Sequence, residues 1–176
     1  KLDDVGTMTV ADAGRVMDQV AESLAEAHEE GIVHRDLKPD NVFLTRRRED
    51  NEFVKVLDFG IAQASALSGT KMTRTGMIQG TAAYLSPEVV LGDATDERMD
   101  VYALGIMFYE MLAGDTPYTG QTAMQVLMSH VRDEPPTIRS VNPSADVSRA
   151  IHTFIWRCIS KNQEQRPRNA AAFRDE

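Results

Sequence analysis

From Val101 to Ala113 every side chain except that of Glu110 is apolar or absent. Crossing a bilayer takes about 20 consecutive apolar residues. This run is shorter and holds an acid, so it predicts a helix buried in protein, with no membrane segment in the chain. The remaining sequence must then supply the elements that cover it.

The length allows that. A chain of 176 residues, 42% hydrophobic and 26% charged, describes one globular domain able to build a core without disulfides or structural metal. Cys158 is the one cysteine. It forbids an internal disulfide, excludes a cysteine-rich zinc site and points to a reducing cytoplasm. With 27 acidic against 19 basic residues and a formal charge of -8, the chain lacks the cationic surface of a nucleic-acid binder. It opens at Lys1 with no cationic stretch followed by an apolar run, so no signal peptide is read and sequence upstream is expected. There is no internal repeat, low-complexity tract or polar linker, hence no second domain.

Thr9 with Asp12 three residues on resembles a capping box. Val16, Met17, Val20, Leu24, Ala27 and His28 then recur at helical spacing until Gly31. Val42–Leu44 and Phe53–Leu57 predict two short strands in a hairpin across the charged loop at 46–51. Residues 60–86 carry no sustained period, and a connection that long is usually functional. Helices are expected over Thr95–Ala113, Thr122–Val131 and Val147–Cys158, with Ile151, Phe154, Ile155 and Ile159 on one face of the last, and another from near Asn169. Met107, Met111, Met124 and Met128 are spaced as core-filling side chains. The expected fold is mainly α with one small hairpin.

Between the first helix and the hairpin lies His34-Arg35-Asp36-Leu37-Lys38-Pro39-Asp40-Asn41, and the hairpin exits into Asp58-Phe59-Gly60. Two acids and an amide are thus delivered to one spot. One carboxylate can accept a hydroxyl proton, while the other and the amide oxygen are hard ligands of the kind Mg²⁺ takes. Lys38 adds a cation suited to a transferring phosphoryl group.

These residues, with Ser86-Pro87-Glu88 following in order, resemble the catalytic loop and metal-binding motif of the eukaryotic-type protein kinases, specifically bacterial serine/threonine members. The resemblance covers residues 1–176 and implies the helical C-terminal lobe of that domain, with ATP and Mg²⁺ as cofactors. It implies that Asp36 is the catalytic base, that Asn41 and Asp58 are the magnesium ligands, and that Lys38 contacts the γ-phosphate. Thr81 would bond the base and the lysine, and Phe43 would floor the adenine site. Lys38 and Thr81 also favour serine or threonine as acceptor, so the partners implied are protein substrates. Arg35 would pair with a phosphate on the segment after Gly60, where Thr73 and Thr75 are the expected phosphorylation sites. The structural roles implied are packing of His34 against Phe59, pairing of Glu88 with Arg166, and anchoring of the catalytic loop by Asp100.

A glycine-rich loop, a strand lysine with its helix glutamate, and an adenine hinge complete such a kinase. None is found upstream of His34. The expectation is therefore a C-terminal lobe without its N-terminal lobe, inactive alone, with an exposed apolar face across which homodimerisation is possible. The competing reading is a kinase-like pseudoenzyme or scaffold module acting through protein contacts. A small-molecule phosphotransferase fits less well, given the long segment that ends in Ser86-Pro87-Glu88.

Overall fold

The computed structural model describes residues 6–45, 53–59 and 79–176. Helix α1 spans Val10–Glu29. The Thr9 hydroxyl starts it by accepting the Asp12 N–H at 3.1 Å and donating to the Asp12 carboxylate at 2.6 Å. Ala13, Val16, Met17, Val20, Ala21, Leu24 and His28 form its buried stripe. The helix ends before Gly31, whose φ of 71° suits a residue without Cβ.

A 3₁₀ turn at Pro39–Asn41 leads into β1, Val42–Thr45, which pairs antiparallel with β2, Phe53–Val56, in the register Val42↔Val56 and Thr45↔Phe53. An isolated hairpin is marginal in water. Here α1 supports it: Val42 and Val54 are buried, and the Gln19 side-chain oxygen accepts the Val54 N–H at 3.1 Å.

Two short helices and the central helix follow. Helix α2 is Gln79–Ala82, α3 is Pro87–Leu91 and α4 is Arg98–Ala113. Then come α5, Ala123–Arg132, α6, Ile138–Val141, α7, Arg149–Cys158, and α8, Ala170–Asp175. The buried run is α4: from Met99 to Ala113 only Glu110 is not fully buried. Helices α1, α6, α7 and α8 pack around it. Among the described residues no helix is long and apolar enough to cross a membrane.

Three expectations need correction. Helix α4 begins at Arg98, not Thr95, because the Asp96 carboxylate takes the Arg98 N–H at 2.9 Å and turns the chain into the helix there. The stretch after residue 60 contains α2 at its end, too short to show a period. Met107 and Met111 are in the core, but Met124 is 58% exposed and Met128 half-buried. Helix α5 turns Val126, Leu127 and His130 inward, which leaves Met124 on the opposite side.

Contact between α4 and α7 depends on Gly105. A Cβ there would lie 2.7 Å from Cys158 Cβ and 2.7 Å from Ile159 Cγ2, closer than carbon atoms pack. Gly105→Ala is expected to destabilise the chain by about 1–3 kcal/mol through overpacking, against its favourable helix propensity. Urea melts of the two proteins check this; an unchanged or raised midpoint refutes it.

Candidate active site

The site is built outward from a buried carboxylate. Asp100, 1% exposed on α4, accepts the His34 N–H at 2.8 Å through Oδ2 and the Arg35 N–H at 2.9 Å through Oδ1. Oδ2 also receives His28 Nε2 from α1 at 3.0 Å. The other ring nitrogen of His28, Nδ1, accepts the Ala170 N–H at 3.3 Å, which places the ring proton on Nε2. A charge this deep is tolerated because N–H donors surround it. They also fix the loop: Arg35 sits at φ 68°, a left-handed conformation that a non-glycine residue holds only where its surroundings impose it.

The fixed loop presents Asp36 and Lys38. The Lys38 ammonium donates to Asp36 Oδ2 at 2.9 Å and Oδ1 at 3.2 Å, and to Thr81 Oγ1 at 3.0 Å. Asp36, Lys38 and Thr81 therefore form one chain of contacts, bridging residues far apart in sequence. The Asp36 side chain is 21% exposed, so a hydroxyl brought from outside can reach it. Asn41 is bound to the same loop, its Nδ2 donating to the Asp36 carbonyl at 2.8 Å, so that its Oδ1 is the side-chain atom turned from that bond.

Asp58 arrives by the hairpin. The Leu57 N–H bonds the Asn41 carbonyl at 2.9 Å, continuing the strand register, so Asp58 leaves β2 at the end where Asn41 enters β1. Asp58 is exposed and is, among the described residues, the other non-glycine residue with left-handed backbone, at φ 55°. His34, wholly buried, ties this exit to the loop. Its Nε2 donates to the Leu57 carbonyl at 3.0 Å, its Nδ1 accepts the Asp36 N–H at 3.3 Å, and its ring lies 4.8 Å from that of Phe59. Phe43 is half-buried on β1, opposite Lys55.

Farther out, Arg166 holds Glu88 by two hydrogen bonds, of 2.7 and 2.9 Å. Both are buried. Burial alone would raise the Glu88 carboxyl, but the hydrogen bonds and charge of Arg166 outweigh it and hold it below the usual range. Breaking such a pair from one side typically costs about 3–5 kcal/mol, since the remaining charge is left uncompensated.

Sequence reading passed over His28 and Glu110. Helical spacing marks His28 only as one more member of a buried face. Glu110 receives the Tyr84 hydroxyl at 2.7 Å, tying the segment after Thr81 to α4. An acid interrupting an apolar run needs a donor, and that was the available signal. Thr73 and Thr75 lie outside the described residues.

Among the described residues no cluster of three acidic, histidine or cysteine side chains could hold a metal. An amide oxygen and a carboxylate at one end of a hairpin still fit Mg²⁺, which keeps several waters and substrate oxygens and needs few protein ligands. Large apolar side chains are exposed nearby, Ile32 at 47% and Leu57 at 41%.

A family model described as "Protein kinase domain" matches residues 1–176. The chain is 41% identical over 164 residues to the serine/threonine-protein kinase pkn3 of Myxococcus xanthus, covering 92% of this chain and 30% of that protein. It is 45% identical over 172 residues to Pkn1 of the same organism, covering 97% and 24%. With the serine/threonine-protein kinase PknB of Mycobacterium tuberculosis the identity is 41% over 171 residues, covering 96% and 26%. The chain thus spans between 24% and 30% of the length of these relatives.

Proposed function

This chain belongs to the protein kinase domain family, and from that premise we propose that residues 1–176 are the helical C-terminal lobe of a bacterial kinase that phosphorylates serine and threonine hydroxyls of proteins from ATP. The observation that carries the reading is the position of the Lys38 ammonium, 2.9 Å from Asp36 and 3.0 Å from Thr81. It joins a proton acceptor to a cation at a rim open to a protein substrate.

Bound magnesium-ATP supplies the phosphoryl group and the neutralisation of its charge. The residues of this chain do the rest. Asp36 orients the acceptor hydroxyl and takes its proton on a carboxylate oxygen. Lys38 faces the negative charge that develops beside it, and Thr81 keeps both in place. Asn41, through Oδ1, and Asp58 would hold the metal, and Phe43 would lie beneath the base. Arg35, next to Asp36, is suited to a phosphate on Thr73 or Thr75. The chain spans only 24–30% of the length of its kinase relatives, which supports a longer parent protein able to supply an N-terminal lobe. The lone, fully buried Cys158 fits a reducing cytoplasm.

The test is to incubate the parent protein with γ-labelled ATP and a protein substrate, then hydrolyse the product to its amino acids. Label is expected on phosphoserine or phosphothreonine. No transfer by a folded parent would favour the scaffold reading, and label confined to phosphotyrosine would overturn the acceptor assignment.

A further inference from the structure

Between the end of α5 and the end of α7 lies a cavity of about 490 Å³, within the range that small-molecule sites occupy. None of its lining residues belongs to the site around Asp36. One wall is apolar and fixed, made of Trp156, Ile159 and Pro135. Trp156 stacks on His152 with ring centres 3.9 Å apart. The Tyr109 ring lies 6.1 Å from the indole, and its hydroxyl donates to the Pro136 carbonyl at 3.0 Å, which ties the proline turn to the same wall. The rest of the lining is polar, with Ser160, Lys161, Asn162 and Gln165 prominent in it.

Lys161 is the member that needs a reason. Its ammonium donates to the Tyr118 hydroxyl at 2.6 Å and to the Ser129 carbonyl at 3.3 Å, and lies 4.2 Å from the centre of the Tyr118 ring. None of these partners is an anion, and among the described residues it forms no ion pair with a carboxylate. A methionine would fill the same place without desolvating a charge. The lysine is also held on a fixed support: the Tyr118 ring stands edge-on against buried His130 at 4.8 Å, and His130 Nδ1 lies 2.7 Å from the Tyr102 hydroxyl of α4. Burial pushes Lys161 down to about 8, although the charges of Glu134 and Asp133 pull the other way. It is thus mostly charged at neutral pH, short of water and without a counter-charge. The other two charges on the lining are already provided for. Arg157 donates to Glu176 at 3.0 Å, and Glu134 is exposed and keeps its own water.

We propose that this cavity binds a small aromatic carboxylate, its ring against Trp156 and its carboxylate on the Lys161 ammonium. The claim does not depend on phosphoryl transfer by the parent protein.

Trp156 is the one tryptophan of the chain, so its fluorescence reports on this wall. Titration with 3-phenylpropionate at constant ionic strength should change it saturably, with a Kd of about 1 mM for a ligand of this size. 3-Phenylpropionamide has nearly the same shape and no charge. It should bind roughly tenfold more weakly, as the loss of a charge-assisted hydrogen bond requires. Lys161→Met should cost the acid a similar factor and leave the amide within about twofold of wild type. No saturation by the acid below about 20 mM, equal binding of acid and amide, or a folded Lys161→Met that binds the acid as wild type does would each overturn the proposal. If Lys161→Met does not fold, Gln165→Glu replaces it, a change at an exposed position. A carboxylate added to the lining should weaken the acid roughly threefold and spare the amide. An unchanged affinity for the acid overturns the idea.

Discussion

Asp36→Asn in the intact parent is expected to lower kcat by about 10²- to 10⁴-fold, the usual contribution of a positioned general base. The amide matches the carboxylate in shape and keeps one oxygen for Lys38, so the contacts of 2.9 Å to Asp36 and 3.0 Å to Thr81 need not both be lost. What it cannot do is take the hydroxyl proton. The loss should therefore appear in kcat and leave the KM for ATP largely alone, because the groups assigned to the nucleotide, Asn41, Asp58 and Phe43, are untouched. Steady-state kinetics alongside a thermal melt separate this from unfolding. A folded variant within tenfold of wild type would remove Asp36 from the chemistry.

The 176-residue chain by itself is expected to show no phosphoryl transfer above that of its own Asp36→Asn variant. Orientation of reactants accounts for roughly 7–11 kcal/mol of a barrier. The site described here offers an acceptor side and a metal side, but the chain has no glycine-rich loop or strand lysine upstream of His34 to hold the phosphates from above. Nucleotide would then bind weakly and in many orientations. A radiolabelled-phosphate assay on the isolated chain decides the matter: turnover near that of a full kinase, abolished by Asp36→Asn, would show that the upper half is dispensable.

Much of the fold was legible in the residues. Thr9, Gly31 and the stripe between them marked α1, and Val101–Ala113 marked the central helix, because capping and apolar periodicity act within a few residues of one another. The short helices were not, since Pro87–Leu91 and Ile138–Val141 are defined by a proline or a cap and offer too few turns for a period. Met124 misled for a related reason: helical spacing says which residues share a face, not which face turns inward. At the site, the motif marked Asp36, Lys38, Asn41 and Asp58 as a group. The hydrogen bond from His28 to Asp100, spanning 72 positions, left no local trace. Neither did the contact of His130 with Tyr102, 28 positions away. Such pairings depend on how helices dock, and docking is invisible in a single stretch of sequence.

The carboxylate that shapes the loop bearing Asp36 lies 65 positions along the chain from Arg35, whose left-handed bend it secures. Cut out as a peptide, the loop would relax, since that conformation costs an ordinary residue roughly 1–2 kcal/mol. The bend therefore belongs to the assembled core and not to the tripeptide His34-Arg35-Asp36. A population with its helices intact but α4 loosened would keep nearly all its helical signal and already have lost the arrangement around Asp36. Circular dichroism would report such a molecule as native long after it had stopped being one where it counts.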